Sequence, residues 1–328
     1  MTVVLDEAQV REVLDMPGAI TAMEALCREQ AAEQTLSAER IHIRLPRGFL
    51  RILPGILAQS GVMGYKEFHT NGQGVRYSIH LFDFESGAPL AMMDANHVTA
   101  MRTGAMAAVA LKYLSPPEAK RVGLIGSGTE ARSEMAALMA VRPSIRQGRV
   151  FSPRPERREA CARDMAALYG IEMQAVERPE QAIEGAEILL VATGTRGGAV
   201  ALEGRWLHAG LHVNSIGSTA PEQREIDPEV WRRADRIVLD THRLLHESGD
   251  ALAAEQAGAL DRSKIVELHE VVAGTAEGRS GPGQTTLYKS VGTGLQDVAA
   301  AYHVYRAARE RGLGTDLPAF QTAKLPSR

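Results

Sequence analysis

The stretch Arg121-Val-Gly-Leu-Ile-Gly-Ser-Gly-Thr-Glu-Ala131 determines the fold class that we predict for this 328-residue chain. Val122–Ile125 is a short apolar run that predicts a buried strand, and the residues after the glycines predict a helix. Gly126 permits a tight turn, Gly128 lets the backbone approach a phosphate, and Ala131 allows the helix to pack closely on the strand. The uncompensated N–H groups at the start of a helix favour phosphates. The stretch therefore predicts a dinucleotide cradle, with an ordinary strand-to-helix turn as the alternative. The predicted cofactor contacts within it are Gly126, Ser127, Gly128, Thr129 and Glu130.

Alternation of strands and helices continues after the cradle. Further strands are predicted at 149–152, 188–192, 212–216 and 236–239, with helices at 130–141 and 156–169. Such alternation is typical of a parallel sheet with right-handed crossovers. We therefore predict an α/β fold with a Rossmann-type NAD(P)-binding domain over residues 117–293, which begins after the chain break at Ser115-Pro116-Pro117.

The N-terminal third has a different pattern. Residues 7–34 and 99–114 read as helices, whereas polar and apolar residues alternate between 40 and 93, as in antiparallel strands with one wet face. A last helical segment starts at Gly294. We predict an α+β domain over 1–116, completed by a C-terminal helix at 294–328.

Composition excludes several classes of function. With 37 basic and 40 acidic residues, the net charge is -3, which argues against a nucleic-acid or anionic-membrane partner. Cys27 and Cys161 lie far apart and imply neither a disulfide framework nor a thiolate metal site. No signal-peptide pattern and no run of about 20 apolar residues is present. We expect a cytoplasmic protein.

The end of the second strand of the Rossmann-type domain bears on cofactor preference. NAD enzymes usually place an acid there for the ribose 2′-hydroxyl. This chain instead has Ser152, Arg154 and Arg157, which could bind a 2′-phosphate, so NADP(H) is favoured and NAD(H) is possible. The alternatives are that these arginines are solvated helix-start residues and that Glu156 turns toward the ribose.

Several ordered motifs resemble the ornithine cyclodeaminase/mu-crystallin family over nearly the whole chain. They are Gly64-Tyr-Lys66, Leu81-Phe-Asp83, Gly87-Ala-Pro-Leu90, Arg102-Thr-Gly-Ala105, Gly126-Ser-Gly128, Asn214-Ser-Ile-Gly217, Glu247-Ser-Gly-Asp250 and Lys289-Ser-Val-Gly292. The resemblance implies a homodimer whose N-terminal segment and C-terminal helix form the substrate-binding and dimerisation domain. It also implies an oxidoreductase of amino-acid metabolism that transfers a hydride between a nicotinamide ring and the α-carbon of a small amino or imino acid.

The resemblance also assigns site residues. Lys66 matches the family's proton-transfer lysine, which also touches the substrate carboxylate, while Arg40 and Arg102 match its carboxylate-binding arginines. Arginine suits this task because it binds a carboxylate in bidentate fashion. Carried over to the cofactor are Ser78, Arg102, Thr103, Thr193, Val213, Asn214, Ser215, Ile216 and Ser290.

One position departs from the family pattern. Thr219 stands where ornithine cyclodeaminases and the family's alanine dehydrogenases have an aspartate, and a threonine hydroxyl can only hydrogen-bond substrate or water near neutral pH. We therefore favour an NAD(P)H-dependent imine (ketimine) reductase or amino-acid dehydrogenase. An ornithine cyclodeaminase and a mu-crystallin-like binding protein are the alternatives. Cyclic imines, iminosuccinate and N-alkyl imines all remain open as substrates, as does the physiological direction.

Histidines give no metal prediction. His242 and His246 have helical spacing, but no acid completes a metal site, so none is expected. His69 and His80 lie in the predicted strand region that should face substrate, where structural or surface roles are favoured over proton transfer or contact with a second substrate carboxylate.

Overall fold

The computed structural model describes residues 1–195 and 199–318, which divide into two compact units. The first contains Met1–Arg102 and the described residues from Thr293 onward, and the second contains Thr103–Gly292. Within the described residues, no helix is both long and apolar enough to cross a membrane.

A mixed sheet forms the centre of the first unit. Its strands are β1 (Thr2–Leu5), β2 (Thr35–Leu36), β3 (Ile41–Leu45), β4 (Gly48–Leu57), β5 (Val62–Thr70), β6 (Arg76–Asp83), β7 (Pro89–Asp94) and β16 (Thr315–Leu317). The strand order is β16-β1-β7-β6-β5-β4-β2, and β3 pairs with β4. β1 and β7 are parallel, whereas β3 to β7 form antiparallel pairs, which confirms the antiparallel pattern predicted for 40–93.

The first unit also contains helices. They are α1 (Glu7–Val13), α2 (Met16–Ala31), the start of α3 (Asn96–Leu114), and α11 (Gly294–Arg311). α11 packs against β4, β5 and β6. Its first residue, Gly294, lies so close to β4 that an added Cβ would collide with the carbonyl oxygen of Pro54. This close approach brings the first turn of α11 directly onto the sheet.

The second unit is a parallel α/β domain. Its strands are β8 (Arg121–Ile125), β9 (Gln147–Phe151), β10 (Glu172–Ala175), β11 (Ile188–Val191), β12 (His212–Ser215), β13 (Arg236–Leu239), β14 (Ile265–Glu267) and β15 (Thr286–Lys289). Their order is β10-β9-β8-β11-β12-β15-β13-β14, and neighbours in this order are parallel. The order reverses between β8 and β11, which is where doubly wound sheets bind ligands. The predicted Rossmann-type class is confirmed.

Helices connect these strands. They are α4 (Thr129–Val141), α5 (Pro155–Tyr169), α6 (Pro179–Ile183), α7 (Pro228–Arg233), α8 (Leu244–Glu247), α9 (Gly249–Gln256) and α10 (Leu268–Ala273). Buried apolar side chains from β8, β9, α4 and α5 form one core, and a second core contains Trp231 and residues of β11 to β13.

The structure differs from two predicted boundaries. The division between units falls after Arg102, inside α3, and not at Pro116, because Leu111 packs in one core with Val122 and Leu124. Within the domain-completing segment predicted at 294–328, only Gly294–Arg311 is helical, as the periodicity from Gly294 to Glu310 indicates, because Gly312 adopts the left-handed conformation (φ 67°) that terminates helices. The chain then pairs with β1 as β16, and residues 319–328 lie outside the described residues.

Candidate active site

Two of the predicted substrate-binding residues meet at a buried carboxylate in the first unit. Lys66, on β5, is 1% exposed, and its Nζ donates to Asp297 Oδ1 at 2.8 Å. Arg102, on α3, has its Nε 2.9 Å from the same oxygen and donates through Nη1 to Gln296 at 3.0 Å. Asp297 and Gln296 are in the first turns of α11, which the close contact at Gly294 holds against the sheet. The result is a buried cluster in which one carboxylate orients a lysine and an arginine.

The other two predicted site residues of the first unit are Arg40 and Ser78. Arg40 is half-buried and directly precedes β3. Ser78, on β6, pairs with Glu67, whereas Lys66 pairs with Ile79. Because side chains alternate across a sheet, Ser78 projects from the face opposite Lys66. Its hydroxyl donates to Glu67 at 2.7 Å.

His69 and His80 lie on this opposite face as well. His69 is 3.1 Å from Glu67, and the ring of His80 stacks on Tyr65. Burial lowers the pKa of His80. These contacts give both histidines structural roles on the far side of the sheet from Lys66.

The cradle after β8 has the features that a dinucleotide phosphate requires. Gly126 has φ 125°, and an added Cβ there would collide with the carbonyl oxygen of Ala192. At Gly128 an added Cβ would meet open space, so the backbone is accessible. Gly128 is the N-cap of α4, and it offers no side-chain cap to the first N–H groups. The N-terminus of α4, which starts at Thr129 and Glu130, is therefore suited to bind an anion.

Ser152 lies beside this cradle at the end of β9. Its Oγ is 2.9 Å from that of Ser127, which donates to it, and its carbonyl accepts from Arg158. Arg154 is the N-cap of α5, and both Arg154 and Arg157 are exposed. The arrangement leaves two cationic side chains in solvent next to the residue that follows the second strand.

Glu225 ties together the ends of β11 and β12, although it is distant from both in sequence. One of its oxygens accepts from the backbone N–H of Thr193 at 2.6 Å, and the other from the N–H of Gly217 at 2.7 Å and the hydroxyl of Ser215 at 2.8 Å. Lys289, at the end of β15, lies 3.6 Å from Glu225 and 2.9 Å from Asp250. All three charged groups are fully buried. Burial raises the pKa of Glu225, while the Lys289 ammonium lowers it.

Several predicted cofactor residues have buried side chains. Val213 is in the apolar core. Asn214 Oδ1 accepts a hydrogen bond from His212 Nε2 at 2.8 Å, and burial lowers the pKa of His212 to about 3. The hydroxyl of Ser290 donates to Asp240 at 2.6 Å. Ile216 follows β12 and is also buried. A ligand at these positions would therefore meet backbone groups more than side chains.

The remaining predicted positions lie in the second unit. Thr103 is half-buried in α3, next to Arg102. Thr219 donates from its hydroxyl and its backbone N–H to Gln223. Among the described residues, no cluster of three or more His, Cys, Asp or Glu side chains is arranged to hold a metal ion.

A profile of the ornithine cyclodeaminase/mu-crystallin family matches residues 1–312. The chain belongs to this family. It is 32% identical over 266 residues to the ketimine reductase mu-crystallin of Rattus norvegicus, covering 79% of this chain and 80% of the relative.

Solved structures of family members have the same fold. The Thermococcus litoralis Δ1-pyrroline-2-carboxylate reductase in complex with NADH and L-proline superposes with a TM-score of 0.91 at 33% identity, covering 96% of this chain and all of the other. An archaeal alanine dehydrogenase dimer with bound NAD has a TM-score of 0.88 at 28% identity, covering 97% and 99% of the two chains.

Sequence reasoning missed several polar and charged partners of the predicted residues. Asp297, Gln296 and Glu225 occupy segments without a recognised motif, and only the close approach of α11 and the convergence of β11 and β12 reveal their roles. Asp250 and Lys289 lie inside quoted motifs, but their pairing was not predicted because no sequence spacing brings residues so far apart together.

Proposed function

We propose that this family member is an NAD(P)-dependent oxidoreductase that reduces the C=N bond of a small α-imino acid, or oxidises the corresponding amino acid. The observation that carries the proposal is the buried set of Lys66, Arg102 and Asp297. An imino acid presents a carboxylate beside a C=N bond, and its reduction needs a cationic clamp and a proton donor near the nitrogen. Relatives named as ketimine and pyrroline-2-carboxylate reductases support the reaction class.

In this proposal the residues have separate tasks. Arg102, together with Arg40, binds the substrate carboxylate, and Lys66 delivers the proton to the imine nitrogen. Asp297 accepts a hydrogen bond from the Lys66 ammonium at 2.8 Å and thereby holds it in one orientation. The cradle at Gly126 and Gly128 would hold the dinucleotide, whose reduced nicotinamide would be the hydride source for the α-carbon. The new C–H and N–H bonds replace the π bond of the imine, and in the reverse direction neutral Lys66 takes the proton back.

Thr219 supports reduction over cyclodeamination. Its hydroxyl donates to Gln223 at 3.2 Å, and it carries no ionisable group to activate water. An ornithine cyclodeaminase releases ammonia without net change in NAD, so ammonia release separates it from a reductase.

We infer a preference for NADP(H) over NAD(H). The residues that follow β9 support this preference. Ser152 comes directly after the strand without a neighbouring acid, and Arg154 and Arg157 are exposed beside it. Arginine binds phosphate through a planar set of donors, which suits a ribose 2′-phosphate. The two solved relatives named above contain NADH or NAD, so this preference would distinguish the chain from them.

We further propose a homodimer in the cytoplasm. β3 exposes Ile41, Ile43 and Leu45 at about half of their surface, which is unusual for an edge strand unless a partner covers it. The dimer of the related alanine dehydrogenase supports a second copy of the chain as this partner. Cys27 and Cys161 are buried free thiols, which is consistent with a reducing compartment.

The reaction is tested by following NADPH and NADH oxidation with a panel of imines. The panel contains pyrroline-2-carboxylate, piperideine-2-carboxylate, and pyruvate, glyoxylate or oxaloacetate mixed with ammonia or methylamine. We expect oxidation with at least one imine and a higher kcat/KM with NADPH. If no imine of the panel causes NADPH or NADH oxidation and ammonia is released from ornithine in the presence of NAD, the protein is a cyclodeaminase instead. Tight cofactor binding without turnover in either assay would indicate a binding protein.

A further inference from the structure

The helix that follows the cradle, α4, carries a buried carboxyl group at Glu134. The side chain is fully buried, one helical turn after Glu130. Within the described residues, neither of its carboxyl oxygens has a hydrogen-bond partner. An ionised carboxylate without a partner in a protein interior is so costly that such a group keeps its proton instead. The position therefore favours a neutral carboxylic acid.

Within the buried network around Lys289, the other two acids have partners that favour their ionised forms. Glu225 accepts from two backbone N–H groups and from one hydroxyl. Asp250 Oδ1 accepts from two backbone N–H groups at 2.7 and 3.1 Å, and its Oδ2 lies 2.9 Å from Lys289. Hydrogen bonds to a carboxylate stabilise its charge. Lys289 thus already compensates two carboxylates, and a third negative charge at Glu134 would have no cation of its own.

Three charged groups act on Glu134, and they differ in sign. Burial raises the pKa of Glu134 well above its ordinary value, and the negative charges of Glu225 and Glu130 raise it further. The Lys289 ammonium lowers this pKa, but its effect is the smallest of the four. Glu134 therefore keeps its proton to a higher pH than an exposed glutamate does, and it ionises as the pH rises.

The other elements that pack against α4 bring few charges with them. Neither β11 nor the part of α3 at 103–111 has a titratable residue, and Arg121 of β8 is exposed at the opposite edge of the sheet from the cradle. α5 contributes Asp164, which pairs with Arg132 at 2.7 Å. The charge state of Glu134 is therefore set by its burial and by the three groups named above.

α4 connects this carboxyl group to the dinucleotide cradle. Gly128 is the N-cap of α4, and the helix begins at Thr129. Glu134 is five positions further along, which at a rise of about 1.5 Å per residue is about 8 Å from the phosphate-binding end. Charges at this separation interact strongly in a protein interior, because little solvent lies between them. An ionised Glu134 would repel the diphosphate of a dinucleotide, whereas the neutral acid would not.

We propose that dinucleotide binding is coupled to the protonation of Glu134, so that binding takes up a proton and weakens as the pH rises. The negative diphosphate disfavours the ionised form of Glu134, and the complex therefore keeps the proton to a higher pH than the free protein does. Where the free protein is partly ionised, binding draws a proton from solvent. The coupling concerns the cofactor and does not depend on which imine is reduced.

The test measures the Kd of NADH by fluorescence titration from about pH 6 to about pH 9.5. The diphosphate of NADH stays ionised throughout this range. We expect the wild-type Kd to rise by about tenfold or more across it. Glu134→Gln keeps the shape of the neutral acid, and Glu134→Met fills the position with an apolar side chain of similar length. Both variants should keep the Kd that they have at the lowest pH over the whole range.

Calorimetry gives a second readout. NADH binding is measured at one pH in two buffers that differ in ionisation enthalpy, and the difference gives the number of protons taken up. We expect the wild type to take up a fraction of a proton at the pH where its Kd begins to rise, and Glu134→Gln to take up none. The matched control is Glu172→Gln, at an exposed glutamate that begins β10 at the sheet edge opposite the cradle. This control should keep the wild-type pH dependence and the wild-type proton uptake.

Two outcomes would overturn the inference. One is a wild-type Kd that does not change with pH, and the other is an equal rise of the Kd in the wild type and in both Glu134 variants. A variant that is only damaged in its packing would bind NADH more weakly at every pH and keep the wild-type slope, which would also contradict the coupling. Because the measurements follow binding and not turnover, their outcome is independent of the imine panel.

Discussion

At the scale of single residues, the site depends on one carboxylate that compensates two cations. Lys66 and Arg102 are buried, and removing either from water is costly unless an anion lies nearby. Asp297 supplies that anion through a single oxygen, at 2.8 and 2.9 Å from the two nitrogens. This contact holds the Lys66 ammonium in one orientation, which a proton donor to an imine requires.

Lys66→Met should therefore abolish proton delivery while filling nearly the same volume. We expect kcat to fall by about a hundredfold or more, because a positioned acid contributes about that factor. NADPH affinity, measured by fluorescence titration, should remain close to wild type. The control is Lys120→Met, at an exposed lysine in the second unit, which should retain full activity. Unchanged turnover in Lys66→Met would remove this lysine from the mechanism.

Arg154→Ala tests the cofactor preference at a second residue. Since Arg154 is exposed and positioned at the start of α5, its loss should not affect folding. We expect the Kd for NADPH to rise by about tenfold, as for loss of one charge-assisted contact, and the Kd for NADH to change little. Arg163→Ala, on the exposed part of the same helix, serves as the control. Equal increases in the Kd for NADPH and for NADH would mean that Arg154 does not bind the 2′-phosphate.

At the scale of secondary-structure elements, three strand ends are joined by a buried ionic network. Glu225 accepts from backbone groups after β11 and β12, and Lys289 at the end of β15 neutralises Glu225 and Asp250 together. Strand ends at the carboxyl edge of a parallel sheet form the ligand crevice in this class of fold. The network therefore fixes the shape of loops that a dinucleotide would contact.

Lys289→Met should leave two buried carboxylates without their cation. At pH 8 we expect the free energy of unfolding to fall by about 3–5 kcal/mol. Burial already raises the pKa of Glu225, and loss of the Lys289 ammonium would raise it further. A group with a raised folded-state pKa favours folding at low pH and loses that contribution as the pH rises through the folded-state pKa. The deficit relative to wild type should thus be smaller at pH 5.5 than at pH 8 in urea titrations, whereas a pH-independent deficit would contradict this account.

At the scale of the whole molecule, the exposed apolar face of β3 bears on assembly. Ile43 is 49% exposed between Ile41 and Leu45, which project from the same face. A two-fold dimer buries the same patch from each copy, so one substitution places a charge on both sides of the interface. Ile43→Glu should therefore shift the protein from dimer to monomer in light scattering at micromolar concentration. Leu168→Glu, at a leucine 67% exposed on α5, should remain dimeric, and a dimeric Ile43→Glu would place the interface elsewhere.

Local sequence determined the elements of the fold and the chemistry of the cradle. The spacing of Gly126 and Gly128 between an apolar run and a helix depends on backbone freedom, which is a property of neighbouring residues. The alternating pattern from 40 to 93 likewise predicts strands, because side-chain direction repeats every two residues. Motifs such as Gly64-Tyr-Lys66 were sufficient to place the chain in its family and to indicate Lys66 and Arg102.

Only the tertiary structure decided which charges compensate one another and where the units divide. Asp297 meets Lys66 across 231 positions of sequence, and Lys289 at the end of β15 meets Asp250 in α9. Such pairs have no sequence pattern, because any acid on the correct face at the correct height would serve. The division at Arg102 follows from the packing of Leu111. Hydrophobic burial and strand pairing depend on contacts between distant parts of the chain. The positions that they give to individual side chains therefore depend on the whole fold and not on any one segment.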